Sequence, residues 1–161
     1  MADGENQYCT FFLRELCFGL EVTRVQEIIR HQPMTRVPLA SPVVRGLINL
    51  RGQIVTALDL RRRLDFPDRE ADRAPVNVVV RTGDGAVSLL VDEIGDVLTV
   101  RESDFERPPE TLRGEARELI RGAYKLDGRL LLVLDPDKTI QLPPARGDVA
   151  EHRDKPNLLP E

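Results

Sequence analysis

Tryptophan is absent from this 161-residue chain and aromatic residues make up only 4% of it, which removes most of the stacking platform on which single-stranded nucleic acids are held. A basic surplus is missing too. The chain has 23 Lys and Arg against 27 Asp and Glu, a net charge of −4, so nothing advertises nucleic acid or an anionic membrane as a partner. The two cysteines, Cys9 and Cys17, do not stand in a C-x-x-C spacing, and only His31 and His152 could assist them. No metal and no cofactor are therefore expected. Two such thiols read as reduced cysteines, with a disulfide across a hairpin as the alternative. No apolar run approaches membrane-spanning length. The start, Met1-Ala2-Asp3-Gly4-Glu5-Asn6, is acidic, whereas a signal peptide is basic and then apolar. A cytoplasmic protein with no direct membrane insertion is expected.

The common enzyme signatures are also lacking: there is no G-x-S-x-G, no phosphate-cradling P-loop and no G-x-G-x-x-G after a strand. Gly83-Asp84-Gly85 reads as a hairpin turn. His31 falls at the end of an expected short helix, where a cation meets a favourable dipole. Asp92 with Glu93, and Asp104 with Glu106, read as solvated caps and surface charge. No catalytic residue is expected. A small-barrel enzyme or ligand-binding protein is the minor alternative.

What is present is a duplication. Val44-Arg45-Gly46-Leu47-Ile48-Asn49-Leu50-Arg51-Gly52-Gln53-Ile54-Val55-Thr56-Ala57-Leu58-Asp59 aligns without a gap on the stretch from Ile120 to Asp135, with six identities: Arg, Gly, Leu, Gly, Leu and Asp. Upstream, the run from Phe18 to Ile28 matches the run from Val87 to Val97. Two similar units are implied, about residues 8–64 and 76–142, with a seam between them of the kind that often binds something. The charged, proline-bracketed stretch 65–75 reads as a solvated link. Residues 143–161 lose apolar content and read as a disordered tail, leaving 1–142 as the domain.

Within each unit short apolar runs alternate with tight turns. Arg14-Glu15, Arg51-Gly52 and Asp127-Gly128 each divide a hairpin. Thr23 stands three residues before Gln26, the capping-box spacing, and Val25, Ile28 and Ile29 recur at helical spacing, so a short helix is expected over residues 23–30. Asp92 fills the corresponding place in the second unit. Ser41-Pro42 reads as the start of a single turn that Gly46 closes. Short strands with few helical turns point to a mainly β fold of small closed barrels. The apolar residues Ile54, Val55, Leu58 and Leu130 to Leu134 outnumber the places inside one barrel, so some are expected to face a partner.

Val25-Gln26-Glu27-Ile28-Ile29, then Thr35-Arg36-Val37-Pro38, then Asn49-Leu50-Arg51-Gly52, then Leu58-Asp59-Leu60, in that order, resemble the CheW family of bacterial chemotaxis coupling proteins. The second unit resembles it through Leu89-Leu90-Val91-Asp92-Glu93-Ile94 and Arg121-Gly122-Ala123. The resemblance implies two intertwined five-stranded SH3-like barrels with strand exchange. It also implies a non-enzymatic adaptor joining the cytoplasmic tips of transmembrane chemoreceptors to the histidine kinase CheA. It places a receptor-binding groove between the barrels at Val25, Glu27, Ile28, Gly46 and Arg51. It places the kinase contact on the hairpin of Gln53, Ile54, Val55, Thr56 and Leu58. Thr56 and Ala57 depart from the proline and valine common there, and Ser88 from a glycine. A module that binds only the kinase or itself, in a non-flagellar pathway, is the alternative.

Overall fold

Apolar side chains at a spacing of two dominate the chain, and the computed structural model, which describes residues 4–70 and 72–142, turns that pattern into strands. They are β1 (Glu5–Leu13), β2 (Leu16–Glu21), β3 (Val25–Ile29), β4 (Val44–Leu50), β5 (Gln53–Asp59), β6 (Val76–Thr82), β7 (Gly85–Val91), β8 (Glu93–Arg101), β9 (Ile120–Leu126) and β10 (Arg129–Leu134). Three helices of four to six residues accompany them: α1 (Leu60–Arg63), α2 (Gly114–Leu119) and α3 (Pro136–Ile140). The tail read over residues 143–161 lies outside the described residues.

The strands form two five-stranded sheets, ordered β8-β1-β2-β10-β9 (barrel A) and β3-β6-β7-β5-β4 (barrel B). Neither sheet is one sequence unit. The first unit sends its hairpin β1–β2 into barrel A and keeps β3, β4 and β5 in barrel B; the second sends β6–β7 into barrel B and keeps β8, β9 and β10 in barrel A. The exchanged hairpins dock in parallel. Leu132 pairs with Phe18 in one barrel and Thr56 with Val87 in the other, and these pairs are related by the duplication.

Exchange explains the surplus of apolar residues. Along β10, Leu131 and Val133 point into barrel A with Tyr8, Cys17 and Tyr124, while Leu132 and Leu134 point the other way. They join Phe11, Phe18, Leu20, Leu58, Val78, Leu89 and others in a core shared by both barrels. Barrel B has its own interior of Ile48, Leu50, Val55 and Val79. Of the residues expected to face a partner, Leu58, Leu132 and Leu134 face the other barrel, Val55, Leu131 and Val133 fill the interior of their own, and Ile54 and Leu130 stay exposed. The seam is in large part packed core.

The helix expected over residues 23–30 is a strand. Only Val22–Arg24 makes a helical turn, of the 3-10 kind, and β3 then pairs with β6, Glu27 opposite Val79 and Ile28 opposite Val78. A bulge between Val25 and Glu27 moves the apolar residues off a period of two and onto an apparent helical spacing. Asp92 likewise caps no helix, because β8 begins at Glu93, and His31 follows a strand. Ser41 does make a turn: Val44 N–H donates to its carbonyl at 2.9 Å and Val43 N–H to its Oγ at 3.3 Å. Gly46 does not close that turn but lies within β4.

The helices α1 and α3 stand where the duplicated Leu-Asp ends each unit. Asp59 Oδ1 accepts from Arg61 N at 3.1 Å, and Asp135 Oδ1 accepts from Lys138 N at 3.1 Å. Each aspartate satisfies a helix-start amide. The duplicated glycines have a shared cause too. Thr35 crosses over β4 to bond Leu47, and Glu106 crosses over β9 to bond Ala123. A Cβ on Gly46 would lie 2.7 Å from the Thr35 carbonyl, and one on Gly122 2.5 Å from the Glu106 carbonyl. Cys9 and Cys17 are free; in the β1–β2 ladder Cys9 sits opposite Leu20 and Cys17 opposite Phe12.

Candidate partner-binding surface

Strand β3 and the β4–β5 turn come from opposite edges of sheet B, and one ion pair joins them. Arg51 Nη2 donates to Glu27 Oε2, helping to bring the edges of the sheet together. The Arg51 guanidinium holds the Glu27 carboxyl below the usual carboxylate range. Gln26 Nε2 adds a weak bond at 3.5 Å. The Arg51 side chain is 70% exposed and that of Glu27 21%, so the pair is presented to solvent rather than spent in the core. Arg51 is held in place by the turn. Its φ is 51° and that of Gly52 is 90°, and Gly52 N–H donates to Asn49 Oδ1 at 2.9 Å.

Of the five residues read as a receptor groove, the structure brings Glu27 and Arg51 into contact and leaves Ile28 on the surface at 39% exposure. Val25 is half-buried and packs against the shared core. Gly46 is buried, and the room above it is taken by Thr35 of the same chain. It therefore shapes the surface from beneath and offers no face of its own. Of the five residues read as a kinase contact, Gln53 and Ile54 are exposed and Thr56 is half-buried. Val55 is inside barrel B and Leu58 in the shared core, so neither can touch a partner.

A buried charge network escaped the sequence reading. Asp92, expected to be a solvated cap, is 7% exposed and accepts from Arg61 Nε at 3.0 Å, Arg69 Nε at 3.1 Å and the Arg14 N–H at 2.9 Å. Burial pushes its carboxyl up, but those bonds outweigh burial and hold it below the usual range. Asp59, 1% exposed, accepts from Arg45 Nη1 at 3.0 Å and Arg69 Nη1 at 3.2 Å. The stretch 65–75, expected to be a solvated link, is thus pinned through Arg69, whose side chain is 5% exposed. Arg63 reaches across to α3, donating to the carbonyls of Thr139 at 2.8 Å and Lys138 at 2.9 Å. The one signal for this network was the duplicated aspartate; Arg69 gave none. Its work is to hold the barrels in register.

Among the described residues, no group of three or more His, Cys, Asp or Glu could hold a metal ion, and no helix is long and apolar enough to cross a membrane. This edge of barrel B presents an exposed arginine, held by its turn and paired to a carboxylate, with an exposed isoleucine on each side of it in sequence.

Residues 7–143 match the model of the CheW-like domain. The chemotaxis protein CheW of Bacillus subtilis is 35% identical over 123 residues, covering 76% of this chain and 79% of that protein. That of Thermotoga maritima is 30% identical over 137 residues, covering 85% and 89%. In fold, the chain is similar to the crystal structure of the scaffolding protein TtCheW from Thermoanaerobacter tengcongensis, with a TM-score of 0.77 at 23% identity over 86% of this chain and 94% of that one. The chain belongs to the CheW-like family, whose members are chemotaxis scaffold and adaptor proteins and not enzymes.

Proposed function

We propose that this adaptor couples the cytoplasmic tips of chemoreceptors to the histidine kinase CheA through two neighbouring surfaces of barrel B, and that it is recruited from the cytoplasm to receptor arrays in that way. Residues 1–142 act as one binding unit. Arg51, Glu27 and Ile28, with Val25 and Gly46 supporting them, form the receptor surface. Gln53, Ile54 and Thr56, carried on Val55 and Leu58, form the kinase surface.

The observation that carries this reading is Arg51. Its turn needs no arginine: a left-handed position favours Asn, Asp or Gly, and an exposed ion pair adds at most about 1 kcal/mol to stability. A guanidinium fixed there, already beside a carboxylate and next to exposed apolar surface, suits a polar and apolar stripe along a receptor helix. Contacts of this modest size give about micromolar affinity, roughly −8 kcal/mol, so assembly depends on many such contacts acting together.

The test is size-exclusion and pull-down analysis with the kinase regulatory domain and a receptor cytoplasmic fragment, separately and together. Arg51→Glu should weaken receptor binding about tenfold and leave kinase binding intact, by roughly the 1.4 kcal/mol that reversing one interfacial charge costs. Ile54→Arg should do the reverse. Wild-type behaviour of both variants would remove both surfaces from the assignment.

A further inference from the structure

Strand β3, which carries Glu27 and Ile28, is weakly held by its own ladder. It has five residues, lies at the edge of its sheet and loses register at the bulge between Val25 and Glu27. Two side chains of β6 hold its ends. At the start, Arg81 Nη1 donates to the carbonyls of Thr23 at 3.1 Å and Val25 at 3.0 Å. At the far end, one residue past the last ladder pair of Ile29 with Asn77, the Asn77 Nδ2 donates to the Arg30 carbonyl at 3.2 Å. Asn77 is itself held. Ser88 Oγ donates to Asn77 Oδ1 at 2.7 Å, along the diagonal between the ladder pairs Asn77 with Leu90 and Val79 with Ser88. With its oxygen so occupied, the amide turns its nitrogen toward β3.

Asn77 and Ser88 are both fully buried, in step with Val79 and Ala86 on the face that fills barrel B. Stability does not call for them there, because a buried hydrogen-bonded pair can be replaced by apolar groups of the same shape at little cost. The duplication supplies an internal control: Ser88 corresponds to Gly19 and Asn77 to Tyr8. A Cβ on Gly19 would lie 2.9 Å from Leu131 Cδ1, so barrel A fills the place of the serine by packing. Arg30 corresponds to Thr99, which pairs with Gln7 inside a ladder that runs on to Arg101 and Glu5. Backbone pairing thus fixes the strand end in barrel A, and the Asn77 side chain fixes it in barrel B.

We propose that Asn77 and Ser88 are positioning residues for the partner-binding strand: they fix the end of β3, so that Glu27 and Ile28 are presented in a single geometry. The inference rests on the reading of those two residues as receptor surface. A fully satisfied buried polar pair specifies one arrangement of its surroundings, and a surface ordered in advance needs no further ordering on contact. Release of the Arg30 carbonyl lets the last residues of β3 take other positions, and only the fraction in the right one can bind.

The test compares Ser88→Ala, which removes the hydroxyl, with Asn77→Leu/Ser88→Ala, which makes the pair apolar at similar volume. In the double variant the urea midpoint should stay nearly unchanged, while amide exchange speeds up at residues 27–31 and not in the β4–β5 hairpin. Receptor-fragment affinity should fall about tenfold with kinase binding intact. Ser88→Ala should show the same pattern at smaller amplitude. Unchanged exchange at residues 27–31 in both variants, or an increase spread evenly over barrel B, would overturn the inference. So would faster exchange with undiminished receptor binding where Arg51→Glu weakens it. If Arg51→Glu leaves receptor binding untouched, the receptor reading fails by itself, and exchange at residues 27–31 alone decides whether Asn77 and Ser88 position β3.

Discussion

Arg51 sits at φ 51°, whereas the equivalent turn of barrel A, Asp127-Gly128, places only its glycine at positive φ. A left-handed non-glycine residue costs roughly 1 kcal/mol, about what an exposed ion pair returns at best. Arg51→Gly should therefore leave the urea midpoint nearly unchanged while receptor-fragment binding falls, a separation that equilibrium unfolding and pull-down measure on the same sample. Asp92 is the opposite kind of residue, buried and concerned with stability alone. Asp92→Asn leaves the buried guanidinium groups of Arg61 and Arg69 short of a counter-charge and should cost about 3–5 kcal/mol. Because its folded carboxyl titrates below the unfolded one, the stability it adds is fully present above about pH 4, the unfolded value, and is lost as pH falls through the folded value. Denaturation curves from pH 6 downward should show the wild type losing stability over that interval and Asp92→Asn losing less.

At the scale of elements, the hairpins were legible because their turns carry Arg-Glu, Arg-Gly or Asp-Gly between apolar runs, and the duplicated aspartates and glycines marked equivalent places in both units. Strand β3 was not. Its bulge puts Val25, Ile28 and Ile29 at intervals that a helix would also produce, and only pairing with β6 decides the matter. Helices α1 and α3 are too short to show a period of 3.6 residues, although Asp135-Pro136 is a helix-start signal. Of the candidate site, Arg51, Glu27, Ile28, Gln53, Ile54 and Thr56 were legible through their motifs and reach the surface; the burial of Val55, Leu58 and Gly46 was not, because it depends on which strands close over them. The crossing segments give the sharpest test. Gly122→Ala would force a Cβ to 2.5 Å from the Glu106 carbonyl, and Gly46→Ala to 2.7 Å from that of Thr35. Each backbone must shift, at a cost of about 1–3 kcal/mol, and amide exchange should speed up first at Ala123 and Glu106, or at Leu47 and Thr35.

At the scale of the molecule, the shared core makes the two barrels one cooperative unit. Calorimetry should show a single transition, its van't Hoff and calorimetric enthalpies equal. Residues 1–70 and 72–142 expressed separately should each be unfolded by circular dichroism, since each lacks the hairpin that completes its sheet, and mixing them should restore the native spectrum. A folded half on its own would contradict the exchange. The parallel docking of β10 against β2 also sets a timetable for biosynthesis. The hairpin β1–β2 leaves the ribosome early, but β10, the strand it lies against, is made near the end of the described chain. At about 5–20 residues per second, the apolar faces of Phe11, Phe18 and Leu20 wait on the order of ten seconds for their cover, so the nascent chain is a client for chaperones until its last barrel strand emerges.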